Sequence, residues 1–140
     1  MNYGEFITSI LIDLQRLFRL GIAMKDISYS QILAIISIPT DGIEMSELAR
    51  KLGLDNSTIT RLIARLEKKN WVCREKSRRD KRAIKVFLKT RGFTIQQDIE
   101  KKIESIGGKI ELEIDDEKRE SILKHLYAFQ WGLRRTSLKK

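Results

Sequence analysis

Apolar residues recur with a helical period along most of this chain, and one stretch breaks the period. Phe6, Ile7, Ile10, Leu11, Leu14, Leu17 and Phe18 form a wide stripe at intervals of three and four, the pattern of an amphipathic helix. Residues 27–38 predict a second helix that is apolar on several sides, and both helices are expected to be largely buried. Met45, Leu48, Ala49 and Leu52 mark a short helix, with Ser46 as the expected N-cap and Gly53 as its stop. Over residues 56–69, Ile59, Leu62, Ile63 and Leu66 gather on one helical face, while Ser57, Arg61, Ala64 and Lys68 point the opposite way. Asp55 or Asn56 is placed to cap that helix.

The period then changes. Residues 71–76 and 83–88 are rich in β-formers and bracket Ser77-Arg78-Arg79-Asp80-Lys81-Arg82, which has almost nothing to bury, so a hairpin with a charged tip is predicted. Helical spacing resumes with Ile95, Ile99, Ile103, Ile106 and Ile110, a long seam suited to packing between subunits. Gly107-Gly108 interrupts it at a cost of about 1 kcal/mol per glycine relative to alanine. The pair marks a kink or close helix crossing, or else a hinge. Asp115 or Asp116 can cap a last helix whose Ile122, Leu123, Leu126, Tyr127 and Phe129 are expected to face inward, with Trp131 and Leu133 near its end.

These elements predict a mainly α fold in a single domain spanning residues 1–140. A short helix, the turn Leu54-Asp55-Asn56-Ser57, a recognition helix and the hairpin wing make a winged helix-turn-helix within residues 28–90. Residues 1–27 and 91–140 supply a helical dimerisation region from the N- and C-terminal helices.

Charge singles out the same segment. Residues 61–91 hold 13 Lys and Arg against Glu67, Glu75 and Asp80, a local charge of +10 on a chain of net charge +9. A basic excess confined to one contiguous stretch is an electrostatic footprint for a phosphate backbone. Ser57, Thr58, Thr60 and Arg61 lie in the half of the recognition helix that enters a major groove most deeply. Arg61 has the donors to meet guanine O6 and N7. Arg65 and Lys68 suit phosphate or water, and for Arg78, Arg79 and Lys81 phosphate contact and plain solvation both stay open. One recognition helix covers few base pairs, whereas a two-fold dimer presents two about 34–36 Å apart to a near-palindromic site.

The string Met45-Ser46-Glu47-Leu48-Ala49, the run Leu54-Asp55-Asn56-Ser57-Thr58-Ile59-Thr60-Arg61-Leu62-Ile63-Ala64-Arg65-Leu66-Glu67-Lys68-Lys69-Asn70-Trp71-Val72, then Asp80-Lys81-Arg82 and Leu88 with Gly92, resembles the MarR family of winged helix-turn-helix transcriptional regulators of bacteria and archaea. Ser30-Gln31-Ile32-Leu33 and the flanking helices match in pattern and length. Asn70 departs from the glycine common after the family's recognition helix, a change that Asn tolerates because it accepts the left-handed conformation. Lys89-Thr90 replaces the usual Thr and acid before the next helix. The resemblance implies a homodimer with interlocked terminal helices that binds double-stranded DNA at a near-palindromic operator. It further implies a transcriptional regulator, usually a repressor, released by a small-molecule effector. Arg82 would then be the wing residue inserted into a narrow minor groove, where negative potential attracts a guanidinium, with Asp80 holding its side chain. An effector crevice would involve Arg16 and Tyr29, for which ordinary helix packing is the preferred reading.

Other classes find little in the sequence. No stretch approaches the roughly 18 apolar residues of a membrane helix, and the N-terminus lacks a secretory pattern, so a cytoplasmic protein is expected. His125 and Cys73 are each the sole residue of their type, too few for a metal cluster or a catalytic pair, and no cofactor or enzyme motif appears. Cys73 reads as a buried structural thiol in preference to a redox sensor activated by Lys68, Lys69, Arg74 and Lys76. The family's peroxide-sensing branch places its reactive cysteine in the first helix, where this chain has none. The alternative to a regulator is an effector-independent architectural DNA-binding module, or a winged helix that meets RNA or protein.

Overall fold

The structure, a computed structural model, describes residues 1–136. Among them, six helices and three strands run in the order α1 (Tyr3–Gly21), α2 (Tyr29–Ser37), β1 (Ile43–Glu44), α3 (Met45–Leu52), α4 (Asn56–Lys68), β2 (Val72–Lys76), β3 (Ile84–Leu88), α5 (Thr90–Leu112) and α6 (Asp116–Arg135). The part of the expected C-terminal region beyond residue 136 lies outside the described residues. The chain divides into two compact units, Met1–Glu104 and the segment from Ser105 onward.

In the first unit, the helix ends follow the sequence chemistry with one exception. Ser28 and Gln31 form a reciprocal capping box on α2, and Asp55 caps α4 by accepting from the Thr58 backbone N–H at 2.7 Å. Gly53 ends α3 in the left-handed region, φ 68°. Ser46 is not the N-cap of α3: that position falls to Glu44, and Ser46 lies inside the helix. The reason is a strand too short to show a period. Ile43 and Glu44 pair with Val86 and Lys85, so extended backbone runs up to Met45 and the helix begins there. The sheet is antiparallel with order β1-β3-β2, and each hairpin strand starts one residue later than expected, leaving Trp71 and Ala83 outside.

The core of this unit collects Ile32 and Ile35 from α2, Leu48 from α3, Ile59, Ile63 and Leu66 from α4, Val72 and Val86 from the sheet, and Ile95 and Ile99 from α5. Three polar devices lock its edges. Gln96 on α5 donates from Nε2 to the Ile35 and Ile38 carbonyls, both at 2.8 Å, tying α5 to the C-terminal end of α2. Lys69 bonds to the Asp26 carbonyl and, at 3.1 Å, to Gln31 Oε1, with its ammonium 4.5 Å from the Trp71 ring centroid. Asn70 takes φ 66°, as its sequence position suggested, and its side-chain oxygen also accepts from Lys89.

The apolar stripe of α1 is not buried within the chain. No α1 residue is buried, and Leu11 remains 52% exposed. In the second unit, α6 likewise has no buried residue: Leu123 and Leu126 are exposed, and Tyr127 and Trp131 keep 70% and 66% of their surface. The expectation that these faces point inward is therefore not met among the described residues. What holds the second unit is local. Arg119 donates from Nε to the Glu111 and Ile114 carbonyls at 3.0 and 3.1 Å and pairs with Asp116 at 2.6 Å, closing the end of α5. Asp115 is the N-cap of α6 by backbone position, without a side-chain cap bond. His125 donates from Nδ1 to the Ser121 carbonyl at 2.7 Å, one turn back in its own helix. The helix α5 runs unbroken through Gly107-Gly108, where an added Cβ would meet nothing within 4 Å, so among the described residues no close crossing explains the pair.

Gly92 is the tightest point of the first unit. A Cβ there would lie 2.0 Å from the Trp71 carbonyl oxygen, the acceptor for the Lys89 N–H at 2.9 Å. Backbone cannot retreat as a flexible side chain can. Gly92→Ala is expected to destabilise the protein by about 1–3 kcal/mol or more through overpacking, read by chemical denaturation. Gly107→Ala, in open space, should be neutral or stabilising by up to about 1 kcal/mol.

Candidate nucleic-acid interface

Burying Ile59, Leu62, Ile63 and Leu66 fixes the rotation of α4 and leaves Ser57, Thr60, Arg61, Arg65 and Lys68 exposed on its remaining surface. Thr58 is half-buried, and its backbone N–H is used by the Asp55 cap, so it supports the helix start. Beside α4, the paired strands β2 and β3 carry a structured tip. The Ser77 N–H donates to the Ala83 carbonyl and the Ala83 N–H to the Asp80 carbonyl, each at 2.9 Å. Ser77 is buried, and its hydroxyl oxygen accepts from the Arg79 N–H at 3.2 Å.

Asp80 acts on Arg82 differently from the expectation. Its carboxylate accepts from the Arg82 backbone N–H at 3.0 Å, an Asx-type turn, and does not hold the guanidinium. A carboxylate two residues away reaches the main chain more easily than the end of a long side chain. Arg78, Arg79, Lys81 and Arg82 are all exposed, and among the described residues none of their cationic groups has a hydrogen-bond or ion-pair partner in the chain.

A groove of about 480 Å³ separates the recognition helix from the wing. Asn56, Ile59 and Thr60 of α4 line one side, Arg82, Ala83 and Ile84 the other, with Arg74 and Asp80. It brings Thr60 and Arg82, 22 positions apart in sequence, to one concave surface. Arg74 spans the two elements: Nη2 and Nε reach Glu67 Oε1 at 2.8 and 3.2 Å. That hydrogen bond holds the Glu67 carboxyl below the usual carboxylate range, against an opposing push from partial burial.

The basic footprint is thereby sorted. Lys69, Arg74 and Lys89 are engaged inside the chain, whereas Arg61 and the wing-tip cations stay outward. The inward roles were missed in the sequence because Lys and Arg run through the whole segment and their partners, Asp26, Gln31 and Glu67, lie on other elements or several residues away. Cys73 is half-buried and free, opposite Phe87 in the hairpin. Arg16 pairs with Asp13 on its own helix at 2.9 Å, while Tyr29 lies under the Arg19 guanidinium, 5.4 Å from the ring centroid. Among the described residues, no group of His, Cys, Asp and Glu could hold a metal, and no helix is long and apolar enough to cross a membrane.

A model described as MarR family matches residues 27–84. The MarR transcriptional regulator from Methanosarcina mazei is 27% identical, with a TM-score of 0.78 over 94% of this chain and 99% of that one. The chain resembles the MarR family through its winged helix-turn-helix. The MarR match begins just before α2 and ends at the first residue of β3, so it takes in the helix-turn-helix and the wing tip. The transcriptional regulator TtmR of Methylorubrum extorquens is 28% identical over 104 residues, 74% of this chain, and the match spans about half, 53%, of that relative. FabT of Streptococcus pneumoniae, solved in complex with DNA, shares the fold with a TM-score of 0.76 at 23% identity, covering 94% of each chain.

The Glu67–Arg74 pair should make stability depend on pH in a defined direction. A depressed folded pKa contributes stability above the unfolded value, and that contribution disappears as pH falls through the folded value. Both side chains are about one-third exposed, at 37% and 31%, so solvent screening limits the effect. Glu67→Gln is expected to cost about 0.2–1 kcal/mol near neutral pH, with the gap to the parent closing on acidification below the ordinary glutamate range. Denaturant midpoints for both proteins across that range provide the check.

Proposed function

We propose that this protein is a sequence-specific double-stranded DNA-binding transcriptional regulator acting as a homodimer. One observation carries the reading: a recognition helix with its polar face outward and a wing bearing unpartnered cations flank the same groove. Arg61, with Ser57 and Thr60 beside it, would meet base edges in the major groove, and Arg82 would enter the adjoining minor groove. Arg65, Lys68, Arg78, Arg79 and Lys81 would meet phosphates. Thr58 and Asp80 would hold the helix start and the wing turn in place. FabT, a structural neighbour, was solved on DNA, which supports this use of the fold.

The uncovered apolar faces of α1 and α6 support the homodimer, since contiguous exposed apolar surface marks an association site. Two copies would carry two recognition helices to a near-palindromic operator. Repression, with release by a small-molecule effector, rests on the family resemblance. Arg16 and Tyr29, the residues expected to border an effector crevice, each have a partner of their own in the chain.

Selection from a random duplex pool at near-physiological salt tests the function. A palindromic motif bound about 10³-fold or more tighter than its scramble is expected, and uniform affinity for all sequences would rule the reading out. Arg61→Ala should relax preference at one base position per half-site by about 1–3 kcal/mol. Arg82→Ala should weaken all sequences alike and flatten the salt dependence by about one unit of slope. Titrations at several salt concentrations separate the two effects.

A further inference from the structure

We propose that the N-terminal half of α4 reads DNA partly by accepting hydrogen bonds, so that Ser57 selects a strand position occupied by cytosine or adenine, whose exocyclic amino groups donate into the major groove. This rests on the DNA-reading function proposed above and specifies what its site prefers.

The argument starts from the single proton of a hydroxyl. Ser57 Oγ donates that proton to Asp55 Oδ1 at 2.9 Å, and Thr60 Oγ1 donates to the Asn56 carbonyl at 2.7 Å. With those protons committed, each exposed hydroxyl offers the groove only lone pairs. The Ser57 bond is the stronger of the two in kind, because its acceptor is a carboxylate. The same Asp55 oxygen takes the Thr58 N–H at 2.7 Å, which anchors the carboxylate at this end of the helix. Turning the Ser57 proton toward guanine O6 or N7, or thymine O4, would forfeit a charge-assisted bond and bring those acceptors toward a fixed negative charge. An amino group costs neither.

Arg61 lies four positions on and shares the exposed face, about 5–6 Å from Ser57 between Cβ atoms. It has donors and no acceptor. The outer surface of α4 therefore presents an acceptor followed by a donor fork, which is complementary to an amino-bearing base close to a guanine. Every base pair carries one amino group in the major groove, on cytosine or adenine. What Ser57 selects is thus the strand on which that group lies.

The test uses the full-length protein and its selected operator. Comparing sequences enriched by the parent and by Ser57→Ala identifies the position whose preference depends on Ser57. The amino group there is then deleted from the DNA, with purine in place of adenine or 2-pyrimidinone in place of cytosine. The deletion should weaken the parent about fivefold and leave Ser57→Ala nearly unchanged. Should the variant fold poorly, amino deletions scanned across the half-site with the parent protein give the same answer. No such position, or equal losses for both proteins on amino deletion, would overturn the inference while leaving sequence-specific binding in place. No enrichment of any sequence by the parent would overturn the DNA-reading function and this inference together.

Discussion

Burial of one face of α4 is the constraint on which the rest of the architecture depends. Ile59, Leu62, Ile63 and Leu66 are all buried, each contributing about 1.5–3 kcal/mol of transfer free energy before opposing terms. A helix held by four aliphatic side chains on one side has no rotational freedom left, so Ser57 and Arg61 must face away from the core. The polar surface of the recognition helix is the complement of its packing.

The wing follows from the same helix end. Asn70 in the left-handed region turns the chain, the Trp71 N–H returns to the Leu66 carbonyl at 3.1 Å, and β2 starts one residue later. Three further contacts converge on this corner: Lys69 reaches back to α2 and the segment before it, Arg74 pairs with Glu67, and Gly92 lets α5 come against the Trp71 carbonyl. The helix and the hairpin are therefore fixed to each other by contacts on both sides of the turn. A groove lined by both can then keep one shape, which a surface meant to fit a duplex requires.

The ends of the chain obey a different logic. Apolar stripes on α1 and α6 stay exposed even though their sequences carry as regular a periodicity as the core helices. Regular periodicity reports that a face is to be covered and does not say by what. Under the proposed homodimer the cover is a second copy, and the stability of these helices becomes inseparable from association.

The amino-acid sequence by itself determined the helices, the recognition helix with its buried and outward faces, the hairpin, and the Gly53 and Asn70 stops. It also determined that positive charge gathers in one segment. These are local properties, set by periodicity, capping and composition within a few neighbouring residues. Tertiary structure alone decided that Lys69 and Arg74 are spent inside the fold, that Gln96 closes the end of α2, and that Asp80 holds the Arg82 backbone and not its guanidinium. It also decided that β1 displaces the expected Ser46 cap. Apart from the Asp80 turn, each of these depends on a partner on another element, and a linear pattern carries no record of which distant groups meet.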